Sequence, residues 1–257
     1  MNYWTPPYKA QQVIFDLDDT LVHCNKYFDL ILGQFFETMG DWFRAYGPTT
    51  AEMRAKQVEI DVETVSASGL ASDNFPKSLI ATYRHFCGKY GRPAEPFEEE
   101  QLMKLGLSVY DQEIEAYPGM VETLDALKSD GHELYLYTGG DAVIQQRKIE
   151  QMKLDLYFDD RIFIRQHKNV EALEDILVQG GFDRERTWMI GNSLRTDVLP
   201  AVTAGIKSIY LKQQNEWLYN MIELQRELHQ SVITITKVEE VVPVIRGAAS
   251  HRKKNHG

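Results

Sequence analysis

The chain has 257 residues, of which 43% are hydrophobic and 26% are charged, and its formal net charge is −10. This composition is typical of a soluble globular protein with one large domain or a core carrying an insertion. The acidic balance argues against binding to a nucleic acid polymer, which calls for a basic surface. Only two cysteines occur, Cys24 and Cys87, so we expect no disulfide framework and a cytoplasmic location.

We expect neither a signal peptide nor a membrane span in this sequence. Residues 1–11 contain two prolines and no apolar core, so they do not resemble a signal peptide. No stretch approaches the roughly 18 apolar residues of a membrane span, and we expect no membrane association. Residues 246–257 are small and then basic, which predicts a flexible basic tail.

The first predicted strand, Val13 to Phe15, leads directly into Asp16 and Asp18. Side chains alternate along an extended chain, so both carboxylates leave the same side of it. They repel each other unless a cation, a shared proton or an electrophile offsets the repulsion. Mg²⁺ binds carboxylate and phosphate oxygens, and phosphoryl transfer can use one Asp as nucleophile and another as acid/base. Taken alone, the same pattern also fits an Asp-rich turn after an edge strand.

The segment from about residue 23 to residue 115 has apolar residues at helical spacing and no convincing strand. Helices are predicted near 28–36, 50–65, 75–90 and 96–110, with breaks at glycine and proline residues. We therefore expect an all-helical insertion, with its aromatic side chains forming the core of a bundle.

Strands and helices alternate in the rest of the chain, which predicts a parallel sheet with helices on both faces. Ligands bind beyond the carboxyl ends of the strands in such sheets. The predicted strands cover residues 132–137, 161–164, 187–190, 207–211 and 232–235, and the predicted helices cover 120–128, 142–153, 170–179 and 197–204.

Polar residues follow three of these strands. Thr138 and Gly139 offer a hydroxyl and an N–H group that suit phosphate oxygens, although a capped turn would have the same residues. Lys168 could offset the carboxylates, or it could lie on the surface; Lys148 and Lys153 are weaker candidates because they lie within a helix. The amide of Asn192 and the carboxylate of Asp197 could complete a Mg²⁺ site or cap a helix.

The order of these clusters resembles the haloacid dehalogenase superfamily of hydrolases over nearly the whole chain. Residues 16–20, DLDDT, match the first motif of that family, and Thr138 matches the second. Lys168 matches the third motif, although Asn169 stands where relatives commonly have Pro. Residues 191–197, GNSLRTD, match the fourth, with Asn192 where the family often has Asp.

The resemblance implies a role for each matching residue. Asp16 would attack phosphorus and become an aspartyl phosphate, while Asp18 would protonate the leaving oxygen and then activate water. Thr138 and the N–H of Gly139 would hold the phosphoryl oxygens, and Lys168 would steady the phosphate and the nucleophile.

The resemblance also implies Mg²⁺ as the cofactor. Its ligands would be the Asp16 carboxylate, the main-chain carbonyl of Asp18, and Asn192 or Asp197, with the choice between the last two left open.

The family's architecture implies a Rossmann-like three-layer α/β core with a mainly parallel sheet and an inserted all-helical cap. We expect the core at residues 1–22 and 116–245, the cap at 23–115 and the tail at 246–257. Because Asp18 can protonate a leaving oxygen, we expect hydrolysis of a small phosphate monoester rather than of an alkyl halide. A sugar phosphomutase and a catalytically weak phosphate-binding regulator are the alternatives, and the oligomeric state is left open.

Overall fold

The computed structural model describes residues 9–225, 228 and 231–251. The chain forms two compact units. One contains the chain up to His23 and from Ile114 onward, and the other is Cys24–Glu113. The sequence predicts the same two connections one or two residues away, after residues 22 and 115. Residues 1–8, which hold most of the segment considered as a signal peptide, lie outside the described residues.

The first unit is built on a six-stranded sheet in which every neighbouring pair of strands is parallel, in the order β3-β2-β1-β4-β5-β6. The predicted Rossmann-like α/β core is thereby confirmed. The six predicted strands all occur, with bounds β1 Gln12–Phe15, β2 Glu133–Gly139, β3 Ile162–Arg165, β4 Thr187–Gly191, β5 Lys207–Leu211 and β6 Val232–Ile235.

The second unit holds only helices within residues 24–113, as predicted for the insertion. Phe35, Phe43, Tyr83 and Phe86 are fully or almost fully buried in its core, which agrees with the predicted bundle. The α-helices are α1 Asn25–Trp42, α2 Thr50–Ser68, α3 Asn74–Tyr90 and α4 Pro96–Leu107, and a 3-10 turn follows at Ser108–Asp111.

The helices of the first unit cover both faces of the sheet. Val13 and Phe15 of β1 pack into the apolar cluster on one face, whereas Ile14 packs into the cluster on the other. The three residues of β1 from Val13 to Phe15 are apolar for this reason, as in a central parallel strand. The α-helices of this unit are α5 Met120–Ser129, α6 Ala142–Gln151, α7 Asp155–Phe158, α8 Val170–Gln179, α9 Leu199–Thr203 and α10 Val241–His251.

No helix in the described part of the chain is both long enough and apolar enough to cross a membrane.

The end of the described chain differs from the predicted flexible tail. Helix α10 continues through residues 246–251, and only residues 252–257 lie outside the described residues. Ile245 is completely buried in the core, and Nε of Arg246 lies 2.7 Å from Oδ2 of Asp130. This burial and this ion pair extend the helix into a segment whose composition alone resembles a tail.

Candidate active site

The register of the three central strands brings three polar loops to one edge of the sheet. Phe15 at the end of β1 pairs with Leu136 of β2 on one side and with Ile190 of β4 on the other. Because all three strands run in the same direction, the loops that follow them leave from neighbouring points. Asp16 lies in the loop after β1 and Asn192 in the loop after β4, while Thr138 is the penultimate residue of β2.

The loop after β1 is held by its own hydrogen bonds. The N–H of Asp16 donates to the carbonyl of Ile190 (2.9 Å), so the strand pairing continues into the loop. The N–H of Leu21 donates to the carbonyl of Leu17 (2.9 Å), which closes a helical turn. The hydroxyl of Thr20 donates to Oδ2 of Asp16 (3.0 Å) and fixes the orientation of that carboxylate.

Lys168 lies between two carboxylates that are far apart in sequence. Its Nζ is 2.5 Å from Oδ1 of Asp16, and it also forms an ion pair with Oδ1 of Asp197. All three side chains are at least nine-tenths buried. The side chain of Asn169 accepts a hydrogen bond from the N–H of Ala172 (2.9 Å) and caps α8, so the residue that replaces the common Pro fixes the start of the helix directly after Lys168.

Burial sets the electrostatics of this cluster. Burial raises the pKa of Asp16 to about 7, although Lys168 favours the ionised carboxylate. Burial opposes the charged form of Lys168, but Asp16 and Asp197 outweigh that cost and hold the pKa of Lys168 above its usual value. The cluster is therefore short of positive charge, and a cation placed near Asp16 would favour ionisation of its carboxyl group.

The loop after β4 starts a helix with an unusual first turn. The sequence predicts one helix over 197–204, but the structure has a π-helical turn at Leu194–Val198 followed by α9. Two side chains cause this: the hydroxyl of Ser193 accepts from the N–H of Thr196 (3.0 Å), and Oδ2 of Asp197 accepts from the N–H of Ser193 (2.9 Å). Asp197 thus takes part in the helix start with one oxygen and contacts Lys168 with the other.

Gly191 allows Asp197 to reach this position. A Cβ atom on residue 191 would overlap with the carboxylate of Asp197, so any other residue would displace that carboxylate.

Asp18 has two partners that the sequence analysis did not assign. Nε2 of Gln145 donates to its Oδ2 (2.8 Å), and Nζ of Lys148 lies 2.6 Å from its Oδ1. Nε2 of Gln145 also donates to the carbonyl of Gly139 (2.5 Å), so this side chain links Asp18 in the loop after β1 to the end of β2. From the sequence alone, Lys148 is a weaker candidate than Lys168 because it lies within a helix. The structure shows that one turn of α6 presents both Gln145 and Lys148 to Asp18, and their spacing of three residues was the available signal.

Thr138 is completely buried, and its Oγ1 has no hydrogen-bond partner among the described residues. A buried hydroxyl without a partner is costly, so this one indicates a group that is absent from the chain itself. Gly139, the last residue of β2, follows it directly.

Glu216, in the loop after β5, is a third residue that the sequence analysis missed. Its Oε2 lies 3.5 Å from Nδ2 of Asn192, and its Oε1 accepts from the N–H of Gln213 (3.0 Å). Burial raises the pKa of Glu216 above its usual value, and the nearby Asp197 adds to this effect. Its position after a parallel strand was the signal that could have indicated it.

The donor set at this edge fits a Mg²⁺ ion. The carboxylates of Asp16 and Asp197, the main-chain carbonyl of Asp18 and the amide of Asn192 all offer oxygen atoms, which hard cations prefer. Oδ1 of Asp197 is buried and contacts the ammonium of Lys168, and a carboxylate oxygen has a second lone pair that could bind a cation. Nowhere in residues 9–225, 228 and 231–251 do three His, Cys, Asp or Glu side chains form a metal-binding group, so the candidate site also needs the amide and the carbonyl.

Known proteins are similar to this chain in sequence and in fold. A glyceraldehyde 3-phosphate phosphatase from Methanothermobacter thermautotrophicus is 24% identical to it, over 89% of this chain and 95% of the relative. A haloacid dehalogenase-like hydrolase from Xanthomonas campestris has a similar structure, with a TM-score of 0.77, 22% identity, and coverage of 98% of this chain and 97% of the other.

A second similar structure is a magnesium-bound HAD-hydrolase from Bacillus subtilis. Its TM-score is 0.62 at 19% identity, and the match covers 92% of this chain and 99% of the other. The family model for haloacid dehalogenase-like hydrolases matches residues 11–205, which include all four polar clusters. The predicted membership is confirmed: the chain is an enzyme of the haloacid dehalogenase-like hydrolase family.

Proposed function

We propose that this protein is a Mg²⁺-dependent phosphatase that hydrolyses a small phosphate monoester through an aspartyl phosphate on Asp16. The observation that carries the proposal is the contact of Lys168 with both Asp16 and Asp197, together with a buried hydroxyl of Thr138 that has no hydrogen-bond partner in the described part of the chain. A nucleophile, a cation and an unused donor at one edge of the sheet suit a phosphoryl group, whose charge is spread over several oxygens.

In the first step, a carboxylate oxygen of Asp16 attacks phosphorus, and the bond between phosphorus and the leaving oxygen breaks. Thr20 holds the other oxygen of Asp16, so the attacking oxygen has a fixed direction. Thr138 donates its hydroxyl to a phosphoryl oxygen, and the ammonium of Lys168 offsets negative charge. Asp18 gives its proton to the leaving oxygen, which departs as an alcohol.

In the second step, a water molecule attacks the phosphorus of the aspartyl phosphate. Asp18, now ionised, takes a proton from that water, and the bond between phosphorus and the Asp16 oxygen breaks. Phosphate leaves and both carboxyl groups return to their initial state. Gln145 and Lys148 hold Asp18 at both of its oxygens, which keeps it in place for both steps.

Mg²⁺ would be held by Asp16, the carbonyl of Asp18, Asn192 and Asp197. When bound, it would offset the negative charge of the phosphoryl oxygens and of Asp16.

The leaving group is proposed to be small and organic. The relative from Methanothermobacter thermautotrophicus is named as a phosphatase of glyceraldehyde 3-phosphate, a small phosphate monoester. That name, together with an acid at Asp18 for an oxygen leaving group, supports a phosphate monoester as the substrate class.

A screen of phosphate monoesters tests the proposal. Phosphate release is measured with and without Mg²⁺, and mass spectrometry of the quenched reaction looks for one phosphoryl group on the peptide containing Asp16. We expect Asp16→Asn to abolish turnover, because no other nucleophile lies at that position. Asp18→Asn should lower kcat about 10²–10⁴-fold, the usual contribution of general acid/base catalysis.

Phosphate release that persists in Asp16→Asn would refute the nucleophile and with it the proposed mechanism. A product that is an isomer of the substrate, formed without phosphate release, would instead identify a phosphomutase.

A further inference from the structure

The loop after β5 is attached to both loops that carry the candidate metal ligands. Nε2 of Gln213 donates to the carbonyl of Asp19 (2.7 Å), directly after the DxD sequence. Nε of Arg195 donates to the carbonyl of Tyr219 (2.5 Å), and its guanidinium group lies 4.9 Å from the centre of the Tyr219 ring. The segment between these two attachments is therefore held against the site in the core unit, and Glu216 lies in its middle.

The carboxylate of Glu216 is fixed through one oxygen and faces the site with the other. Its Oε1 accepts from the N–H of Gln213 (3.0 Å) and from the hydroxyl of Tyr210 (3.3 Å). Its Oε2 lies 3.5 Å from Nδ2 of Asn192, and Asn192 is buried. A carboxylate can only accept hydrogen bonds, so it selects the nitrogen of the Asn192 amide. The oxygen of that amide is then the atom left for the candidate metal position.

The charges at this edge leave a deficit that Glu216 offsets. Asp16 and Asp197 are both paired with the single ammonium of Lys168, which gives this group a net charge of −1 when ionised. In the substrate-free protein, Asp18 forms a separate ion pair with Lys148, and that pair adds no net charge. A divalent cation carries two positive charges, and the amide of Asn192 adds none to balance them. The carboxylate of Glu216 brings the total to −2, equal and opposite to the cation.

We propose that Glu216 is a positioning residue of the metal site, which turns the amide oxygen of Asn192 toward Mg²⁺ and supplies the negative charge that an amide lacks. The inference rests on the proposed function, since it assumes that Mg²⁺ binds at this edge. A carboxylate that accepts a hydrogen bond from a metal-binding side chain, without binding the metal itself, commonly orients that side chain and raises the affinity for the metal.

Exchanging the two functional groups separates this role from simple support of the loop. Glu216→Gln keeps an oxygen for Gln213 and Tyr210, but it places an NH₂ group against Nδ2 of Asn192 and turns that amide around. In the double variant Asn192→Asp/Glu216→Gln, the new NH₂ group at position 216 can donate to the new carboxylate at position 192. The negative charge that Glu216→Gln removes is then present on residue 192. Asn192→Asp alone completes the comparison, because a role limited to the loop predicts that this substitution changes Mg²⁺ binding by the same factor in the wild type and in Glu216→Gln.

The experiment measures Mg²⁺ binding by isothermal titration calorimetry on the full chain without substrate. We expect Glu216→Gln to weaken binding about 10–100-fold, the usual effect of removing such a partner. The double variant should bind within about threefold of the wild type, in line with a restored partner. Glu223→Gln, which removes an exposed carboxylate elsewhere in the connection between β5 and β6, is the control and should bind like the wild type.

Each outcome is decisive. Equal Mg²⁺ binding by the wild type and Glu216→Gln would overturn this inference and leave the proposed function standing, whereas a wild type that binds no Mg²⁺ would overturn the proposed function itself. Thermal unfolding without metal checks that each variant is folded. If Glu216→Gln does not fold, the double variant decides alone: wild-type binding supports the role, and weakened binding or failure to fold overturns it.

Discussion

Lowering the pH from 8 to 6 should weaken Mg²⁺ binding by about tenfold through the protonation of Asp16. Burial raises the pKa of this carboxyl group to about 7. About one tenth of it is then protonated at pH 8 and about nine tenths at pH 6. A cation binds the ionised form only, so below pH 7 it must displace the proton. The affinity should be nearly constant above pH 7 and should fall toward tenfold per pH unit below it.

Calorimetry measures this proton directly. Mg²⁺ is titrated in two buffers of different ionisation enthalpy, and the difference in heat gives the number of protons released. We expect about 0.9 protons per ion at pH 6 and about 0.1 at pH 8. Asp16→Asn removes the titrating group, so its weaker residual binding should show no such pH dependence. Release of no proton by the wild type at pH 6, or the same release by Asp16→Asn, would refute the reasoning.

Three substitutions test other parts of the site. Thr138→Val removes a buried hydroxyl that has no partner among the described residues, so it should raise the free energy of unfolding by about 1–3 kcal/mol. The same substitution should lower kcat/KM about 10–100-fold, and a destabilised variant in chemical denaturation would contradict the reasoning. Lys148→Met should lower kcat about 10–100-fold with little change in KM, because Asp18 loses a charged partner. Lys153→Met, at an exposed position, is the control, and equal steady-state kinetics for the two variants would exclude the role of Lys148. Gly191→Ala should weaken Mg²⁺ binding at least about tenfold by displacing Asp197. Gly33→Ala, at a position with open space around it, is the control and should leave Mg²⁺ binding unchanged. An unchanged calorimetric affinity in Gly191→Ala would count against Asp197 as a ligand.

Much of the fold could be predicted because its signals are local. The strands of the core are short apolar runs that end in polar loops, and the first of them, β1, is apolar on both faces as a central parallel strand requires. The order of the clusters then indicated which strand ends meet. The extension of α10 could not be read in the same way, because it depends on packing of Ile245 and on pairing of Arg246 with a distant carboxylate.

The site was predictable where a residue directly follows a strand and was missed elsewhere. Asp16 directly follows β1 and Lys168 lies soon after β3, and the topology of the sheet allows these two side chains to form their ion pair. Gln145 and Lys148 reach Asp18 from a helix, and their contact depends on how the turn after β2 directs that helix. No spacing rule supplies that angle.

The two connecting segments that lead into and out of the helical insertion pair with each other inside the core unit. Val22 forms an antiparallel bridge with Ala116, the N–H of His23 donates to the carbonyl of Glu115 (2.8 Å), and that of Tyr117 donates to the carbonyl of Leu21 (2.8 Å). These hydrogen bonds already hold the two ends of the inserted segment together. They therefore offset the entropy cost of closing that long loop, and the polar loops of the candidate site do not have to. Insertions of other lengths could therefore be joined to the same base without changing the register of the sheet, which makes the insertion an exchangeable module.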